Sequence, residues 1–249
     1  MCGIFGLAVR RNKKLIKNKS LYKILNDLGK LSEDRGKDSS GICFKNDLEN
    51  SFQLIKINDK ITSLLKTDKF KSTFQKNYKN YIDNNDFISF GHTRLVTNGN
   101  QIKETNNQPI CKDNIICIHN GIITNFEKIF NDFKLNRDFE IDSEIIPSLI
   151  NFHLQNGKTI QESIDSLLNV IEGTISSCIF FNKYNCLALS TNNGSLYYVN
   201  SNEVLIFASE KHILKNIIEK NSKNPFFQNL LINQLKINST LVFDFDKFK

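Results

Sequence analysis

The sequence predicts an α+β protein with antiparallel sheets. About ten short apolar or alternating runs indicate strands, and roughly five segments with apolar residues at i, i+3, i+4 and i+7 indicate helices. The late strands follow one another in runs, whereas a doubly wound parallel fold would alternate strand and helix more strictly. The GxGxxG loop of such folds is also missing from the sequence.

Each element follows from one of these two periodicities. Apolar or alternating runs predict strands over residues 4–9, 41–44, 52–57, 87–90, 115–118, 175–181, 186–189, 196–199, 204–208 and 241–245. Helical stripes of apolar residues predict helices over 21–31, 126–133, 160–171 and 213–218, with a further helix over part of 61–74. The segment 59–85 is rich in Lys and Asn, and we interpret it as a variable insertion.

Length and composition favour one large domain over residues 2–249, because 249 residues with 40% hydrophobic content suffice for a core. The net charge of +7 comes from lysines spread along the whole chain, since only five of the 33 basic residues are Arg. A nucleic-acid surface needs clustered basic residues, so we expect no nucleic-acid partner. No apolar run is long enough to span a membrane, and no secretory signal precedes the first strand, so we expect a cytoplasmic protein without membrane contact.

The six cysteines and four histidines show no spacing typical of a metal site. We therefore expect reduced thiols and no metal site. One cysteine has a special position: removal of Met1 would make Cys2 the first residue of the chain. Its thiol would then stand beside a free α-amine whose pKa of about 7.7–8.0 suits a general base. The alternative is a small apolar residue at the start of a strand.

Four polar clusters stand where predicted strands or helices begin or end. They are Arg35-Gly36-Lys37-Asp38-Ser39-Ser40-Gly41, Gly91-His92-Thr93-Arg94-Leu95-Val96-Thr97-Asn98-Gly99, His119-Asn120-Gly121 and Asp142-Ser143-Glu144. Each has an ordinary explanation taken alone, since Asn-Gly is common in turns and Asp142 could cap a helix.

Together with Cys2-Gly3-Ile4-Phe5-Gly6, these clusters resemble, in order, the motifs of class II glutamine amidotransferases, the N-terminal-nucleophile glutaminases. The resemblance extends over nearly the whole chain, through Asn106-Asn107-Gln108-Pro109, Glu172-Gly173-Thr174 and Phe207-Ala208-Ser209-Glu210. It is strongest to the glutaminase domain of glucosamine-6-phosphate synthase and weaker to those of amidophosphoribosyltransferase and asparagine synthetase. It implies a four-layer αββα sandwich with two antiparallel sheets between helices.

The resemblance also implies roles for individual residues. Cys2 would be the nucleophile that attacks the carboxamide of L-glutamine, and the side chain of Asn120 and the backbone N–H of Gly121 would stabilise the oxyanion. Four further residues would act on the substrate or its surroundings: Arg94 and Thr97 on the α-carboxylate, Asp142 on the α-ammonium, and Arg35 by ordering the N-terminus.

The second cluster departs from the resembled pattern, which has Trp and His where this chain has Leu95 and Asn98. In that family the segment forms a lid over glutamine, so lid closure is the part of the resemblance that these residues do not support. The polar stretch from Gly99 to Gln108 still has the composition of a mobile loop.

The activity that the resemblance implies is release of ammonia from glutamine through a thioester on Cys2, a reaction that needs no cofactor. Because the resemblance includes no acceptor or synthase domain in the chain, we expect a separate synthase subunit to use the ammonia. Two alternatives remain open: a catalytically silent glutamine-binding or regulatory subunit, and an N-terminal-Cys hydrolase that acts on another amide.

Overall fold

Two antiparallel sheets lie face to face between two layers of helices in the computed structural model, which describes residues 2–11, 16–46, 51–96 and 102–247. This arrangement confirms the predicted α+β class and the four-layer αββα sandwich. In these ranges the helices are α1 (Asn18–Ser32), α2 (Ile61–Leu64), α3 (Asp68–Ile82), α4 (Phe126–Asp132), α5 (Ile145–Gln155), α6 (Ile160–Val170) and α7 (Lys211–Lys220).

The strands, in chain order, are β1 (Gly3–Val9), β2 (Ser39–Asn46), β3 (Ser51–Ile57), β4 (Phe87–Arg94), β5 (Ile110–Lys112), β6 (Ile115–Ile123), β7 (Gly173–Phe181), β8 (Cys186–Thr191), β9 (Tyr197–Asn200), β10 (Val204–Ala208), β11 (Asn233–Gln234) and β12 (Ser239–Asp244). One sheet has the order β11-β9-β10-β1-β4-β2-β3, and the other has the order β12-β8-β7-β6-β5. We call them the seven-stranded and the five-stranded sheet.

Three apolar clusters separate the layers. One lies between the seven-stranded sheet and helices α1, α2, α3 and α7, and a second lies between the five-stranded sheet and helices α4, α5 and α6. The third fills the space between the sheets, where Ile4 and Ala8 of β1 meet Ile116 and Ile118 of β6. Burial of apolar surface on both faces of each sheet is the main driving force for this stack.

The alternation of side chains fixes which residues of the two central strands face the other sheet. In β1, Ile4 and Ala8 face the five-stranded sheet, so Cys2 continues that row. In β6, Ile116 and Ile118 face the seven-stranded sheet, so Asn120 continues the opposite row. The sequence therefore brings these two polar residues to the same end of the inter-sheet space.

The structure differs from the sequence-based prediction at several elements. The polar cluster predicted to follow a strand begins inside β4, which continues through Arg94, and His119-Asn120-Gly121, predicted to end a strand, lies within β6, which continues to Ile123. The segment interpreted as an insertion contains α2 and α3, which confirms the helix predicted over part of 61–74, and Phe70 and Phe74 of α3 are buried in the outer core. The short strands β5 and β11 were not predicted.

In the described parts of the chain, every helix is too short or too polar to span a bilayer.

Candidate active site

Cys2 lies directly before β1 at the mouth of the inter-sheet space and is 8% exposed. Its Sγ–H points to the carbonyl oxygen of Leu95 at 3.5 Å. Burial raises the pKa of the Cys2 thiol above its usual value, although this hydrogen bond and the positive charge of Arg94 oppose the effect. The thiol therefore stays protonated near neutral pH until a base removes its proton.

Arg35 holds the backbone of Cys2 in place. The Nε–H of Arg35 donates to the Cys2 carbonyl oxygen at 2.8 Å, and its Nη1 forms an ion pair with Glu210. Glu210 immediately precedes α7, whereas Arg35 ends the 3₁₀ turn after α1. Two helices of the outer layer thus fix the residue that precedes β1.

Gly3 is required because β1 starts in contact with the neighbouring elements. A Cβ atom there would lie 2.5 Å from Thr93 Oγ1 and 2.9 Å from the carbonyl oxygen of Ser32. The next backbone N–H, of Ile4, donates to Ser209 Oγ at 2.9 Å. The start of β1 is therefore held from both sides, which fixes the direction of the Cys2 side chain.

Arg94 ends β4 and is 5% exposed. Its Nη1–H donates to the side-chain oxygen of Asn107 at 2.7 Å. Burial lowers the pKa of the guanidinium, and the charges of Cys2 and Asp142 oppose this shift, but an Arg remains protonated in proteins. A buried cation thus lies beside the thiol.

Asn120 and Gly121 occupy the last part of β6, opposite Ser176 and Ile175 of β7. Asn120 is 2% exposed, and its Oδ1 has no hydrogen-bond partner among the described residues. Gly121 has φ +150°, and a Cβ atom there would lie 2.0 Å from the Thr174 carbonyl oxygen. Only glycine fits this strand position, so the backbone geometry next to Asn120 depends on it.

Asp142 opens the 3₁₀ turn that leads into α5 and is 5% exposed. Its Oδ2 accepts the backbone N–H of Ile123 at 2.8 Å, and its Oδ1 lies 3.4 Å from Ser143 Oγ. The carboxylate is therefore attached to the end of β6 and does not cap its own turn.

A hydrogen-bond network that the sequence analysis did not predict lies beneath the cleft. Gln108 Nε2 donates to Ser143 Oγ at 3.1 Å and to the His119 carbonyl oxygen at 3.2 Å. His119 Nε2 faces the Thr174 carbonyl oxygen at 3.3 Å, so this nitrogen carries the proton. Its Nδ1 then accepts the Ser143 hydroxyl at 2.9 Å.

Burial lowers the pKa of His119, which keeps the ring neutral and preserves this pattern of donors and acceptors. The only signal in the sequence was that both residues stand within motifs that resemble the family, Gln108 in Asn-Asn-Gln-Pro and His119 before Asn-Gly.

The cleft formed by these residues is narrow, with a volume of about 10 Å³. Its lining contains a cation and an anion beside the Cys2 thiol and consists of Cys2, Arg94, Leu95, Asn106, Gln108, His119, Gly121, Ile141, Asp142 and Ser143. Such a pair of fixed opposite charges is suited to an amino acid, whose α-carboxylate and α-ammonium need partners of opposite sign.

The structure brings Cys2, Arg94, Gly121 and Asp142 together in the lining, and places Arg35 behind Cys2 and Asn120 on the adjacent face of β6. Thr97 and Asn98 lie outside the described residues. Leu95 is 43% exposed at the edge of the cleft. Among the described residues, no cluster of three His, Cys, Asp or Glu side chains could hold a metal ion.

Sequence comparison identifies relatives of this chain. The family described as "glutamine amidotransferase domain" matches residues 92–216. The chain is 30% identical over 207 residues to the glutamine–fructose-6-phosphate aminotransferase (isomerizing) of Streptococcus mutans, and the match covers 82% of this chain and 29% of the relative. The corresponding enzyme of Methanococcus maripaludis is 31% identical over 181 residues, which cover 70% of this chain and 26% of the relative. The chain thus spans less than a third of the length of these curated relatives.

Structural comparison finds the same fold in solved structures. The glutamine phosphoribosylpyrophosphate amidotransferase of B. subtilis, complexed with ADP and GMP, superimposes with a TM-score of 0.67 at 16% identity, over 100% of this chain and 48% of that one. A glutamine aminotransferase class-II domain protein from Silicibacter pomeroyi superimposes with a TM-score of 0.50 at 11% identity, over 98% and 96% of the two chains. At these identities the likeness concerns the fold.

Proposed function

Because this chain belongs to the glutamine amidotransferase domain family, class II, we propose that it hydrolyses the side-chain amide of L-glutamine to glutamate and ammonia at Cys2. The observation that supports this most directly is that Cys2, Arg94 and Asp142 line the same cleft. Glutamine carries an α-carboxylate and an α-ammonium, which are opposite in charge to Arg94 and Asp142.

The first half of the reaction forms a thioester. After removal of Met1, the α-amine of Cys2 takes the thiol proton, directly or through a water molecule, and the sulfur attacks the carboxamide carbon. The side-chain amide of Asn120 and the backbone N–H of Gly121 stabilise the oxyanion; loss of one such donor typically costs about 10²–10³ in rate. The ammonium then returns its proton to the departing nitrogen, and ammonia leaves.

The second half releases glutamate. The α-amine of Cys2 takes a proton from water, and the resulting hydroxide attacks the thioester carbon. The C–S bond then breaks, and the ammonium returns its proton to the departing sulfur, which restores the thiol and the free amine. No redox step or cofactor is needed for this sequence. Because burial raises the pKa of the Cys2 thiol, the thiol needs a base to become a nucleophile, and the α-amine can act as that base.

The substrate is held by its α-substituents. Arg94 binds the α-carboxylate with assistance from the Thr97 hydroxyl, and Asp142 accepts the α-ammonium. Arg35 keeps the Cys2 backbone in position through the hydrogen bond to its carbonyl oxygen. The protein thus binds the α-carboxylate and α-ammonium of glutamine, which directs the side-chain amide towards the thiol.

The test is the release of ammonia and glutamate from L-glutamine by the purified protein, with Cys2→Ala as the control. We expect stoichiometric products from the wild type and none from the variant. Glutamine binding without ammonia release in the wild type would favour the silent regulatory subunit. Hydrolysis of another amide, with glutamine untouched, would favour the third alternative.

The use of the ammonia is a separate proposal. Free ammonia is of little use unless an acceptor site receives it, so we propose that a synthase subunit binds this chain at the cleft. Glutaminase activity is measured with and without candidate subunits. Activity that rises on addition of a subunit and of its acceptor supports coupling, whereas full activity of the isolated chain, insensitive to any addition, contradicts it.

A further inference from the structure

We propose that Asn107 is a positioning residue for the substrate-binding Arg94, and that it sets the affinity for the α-carboxylate of glutamine. This inference rests on the proposed function. Asn107 belongs to the Asn-Asn-Gln-Pro segment. The resemblance to the family includes this segment but implies no role for Asn107. It lies in the connection before β5 and is completely buried.

The side chain of Asn107 joins three parts of the seven-stranded sheet. Its Oδ1 accepts two hydrogen bonds, from Arg94 Nη1 at 2.7 Å and from Ser39 Oγ at 2.8 Å. Its Nδ2 donates to the side-chain oxygen of Asn58 at 2.6 Å. Ser39 begins β2, Arg94 ends β4 and Asn58 follows β3, so the amide is fixed from three directions.

These contacts also fix the orientation of the amide group. Arg94 Nη1 can only donate, and the Asn107 atom facing it must therefore be the oxygen. The Asn107 amide nitrogen then points to Asn58. The guanidinium is thus held at one end by a rigid acceptor, while Arg94 remains part of the cleft lining.

A neutral acceptor is the suitable partner for a substrate-binding cation. A carboxylate at position 107 would pair with the guanidinium and compete with the carboxylate of the substrate. An amide oxygen restrains the same nitrogen without adding a negative charge beside the guanidinium. Because the guanidinium is planar, fixing one Nη also fixes the direction of its other N–H groups.

If Asn107 acts in carboxylate binding, the effect of its loss should depend on whether the substrate has an α-carboxylate. If Asn107 acts only in folding, the effect should be the same for every substrate. The discriminating substrate is 4-aminobutanamide, which is glutamine without its α-carboxylate. Loss of the Asn107 contact should weaken binding of glutamine and leave the smaller amide unaffected, because only glutamine uses Arg94. A general defect of the fold would reduce both reactions.

The experiment measures kcat and KM for both substrates with Asn107→Ala, Asn107→Asp and the wild type. For Asn107→Ala we expect the KM for glutamine to rise about 10-fold or more, which is the usual effect of losing a hydrogen bond to a charged group. We expect kcat to change less than about threefold and kcat/KM for 4-aminobutanamide to stay within about twofold.

Asn107→Asp keeps the shape of the side chain and therefore protects the test against a variant that fails to fold. Its carboxylate should restrain Arg94 but neutralise it, so the KM for glutamine should again rise without an effect on 4-aminobutanamide. The matched control is Asn77→Ala, which removes another buried amide. Asn77 lies in α3, away from the cleft, and its side chain donates to Gln53 of β3 and to the backbone of Thr73 in α3. We expect normal kinetics from this control.

Equal losses on both substrates, or a fall in kcat at constant KM, would overturn the role of Asn107 while leaving the proposed glutaminase intact. A wild type that does not hydrolyse glutamine would contradict the proposed function instead. In that case the affinity of glutamine for the wild type and Asn107→Ala is compared by calorimetry. Equal affinity, or no binding at all, would overturn the inference.

Discussion

The two sheets bring opposite kinds of polar group to the cleft. The seven-stranded sheet supplies the thiol of Cys2 and the cation of Arg94, and its outer helices supply the Arg35–Glu210 pair. The five-stranded sheet and the turn after it supply Gly121 and the anion of Asp142, supported by the neutral His119. Under the proposed function, a zwitterionic substrate would span the two sheets, and alignment of the nucleophile with the amide would depend on how the sheets pack.

The two halves are also stabilised differently. Around Cys2 the contacts are a glycine without space for a side chain and an Arg that reaches a backbone carbonyl oxygen. Around Asp142 they are hydrogen bonds among buried side chains and the β6 backbone. The first arrangement fixes the direction of the chain, whereas the second fixes the orientation of the side chains and the tautomer of His119. Substitutions in the two halves should therefore change different kinetic parameters.

The largest effect should come from the nucleophile. We expect Cys2→Ala to lower glutaminase activity by about 10⁴-fold or more, because no other group can form the thioester. Cys111→Ala is the matched control, since this thiol is only partly buried in β5 and lies outside the cleft lining. Ammonia release should be unchanged in the control. Equal loss in both variants would mean that the effect is not specific to Cys2.

The next largest effect should come from the anionic half. Asp142→Asn keeps an acceptor for the Ile123 N–H but removes the charge opposite the α-ammonium. We expect kcat/KM for glutamine to fall about 30- to 150-fold, which corresponds to the loss of a charge-assisted hydrogen bond of about 2–3 kcal/mol. Glutaramate, which lacks the α-amine, should react equally with both proteins. An equal fall for glutaramate would assign Asp142 to the fold alone.

A smaller effect should follow from loosening the support of the nucleophile. In Glu210→Gln, Arg35 loses its ion-pair partner but can still donate to the Cys2 carbonyl oxygen. We expect kcat to fall about 3- to 10-fold with little change in KM, because the substrate contacts remain. Steady-state kinetics at several glutamine concentrations measure both values. A change confined to KM would show that Glu210 acts on the substrate side instead.

The smallest effect on activity should come from the contact between His92 and the backbone of His119, which joins the two sheets. This contact should instead affect the pH dependence of stability. His92 of β4 faces the carbonyl oxygen of His119 with its Nε2 at 3.1 Å, and burial lowers its pKa to about 3. Between about pH 6.5 and 3 the unfolded chain binds a proton that the folded protein does not. The unfolding free energy therefore falls as the pH is lowered, by about 1.4 kcal/mol per pH unit.

Urea denaturation between pH 7 and 5 measures this slope. In His92→Asn the part of the slope due to this ring should disappear, while the contribution of other titrating groups remains. Identical slopes for the wild type and the variant would show that His92 is not the group responsible.

Much of the fold was visible in the sequence, because the strands and amphipathic helices follow regular apolar periodicities. The run 204–208 matched β10. The short strands β5 and β11 contain three and two residues, which is too few for any periodicity to be detected. The end of β6 was missed for a different reason: Asn120-Gly121 has the composition of a turn, yet here the pair is held within a central strand by pairing with β7.

The site could be predicted only in part. The order of the motifs indicated its residues through their resemblance to a family, but the contacts that orient them join distant segments. Asn107 meets Ser39 and Asn58 at separations of 68 and 49 residues. Gln108, His119 and Ser143 likewise form their network only when β6 and the turn after residue 141 come together. Sequence spacing within one segment contains no information about such contacts.

The central claim is that Cys2, freed of Met1, is the nucleophile for glutamine. The most direct measurement is the intact mass and peptide map of the protein after reaction with the glutamine analogue 6-diazo-5-oxo-L-norleucine. We predict a chain that lacks Met1, one adduct located on Cys2, and protection by L-glutamine. A chain that retains Met1 and stays unlabelled, or an adduct on Cys111 that glutamine does not prevent, would contradict the account.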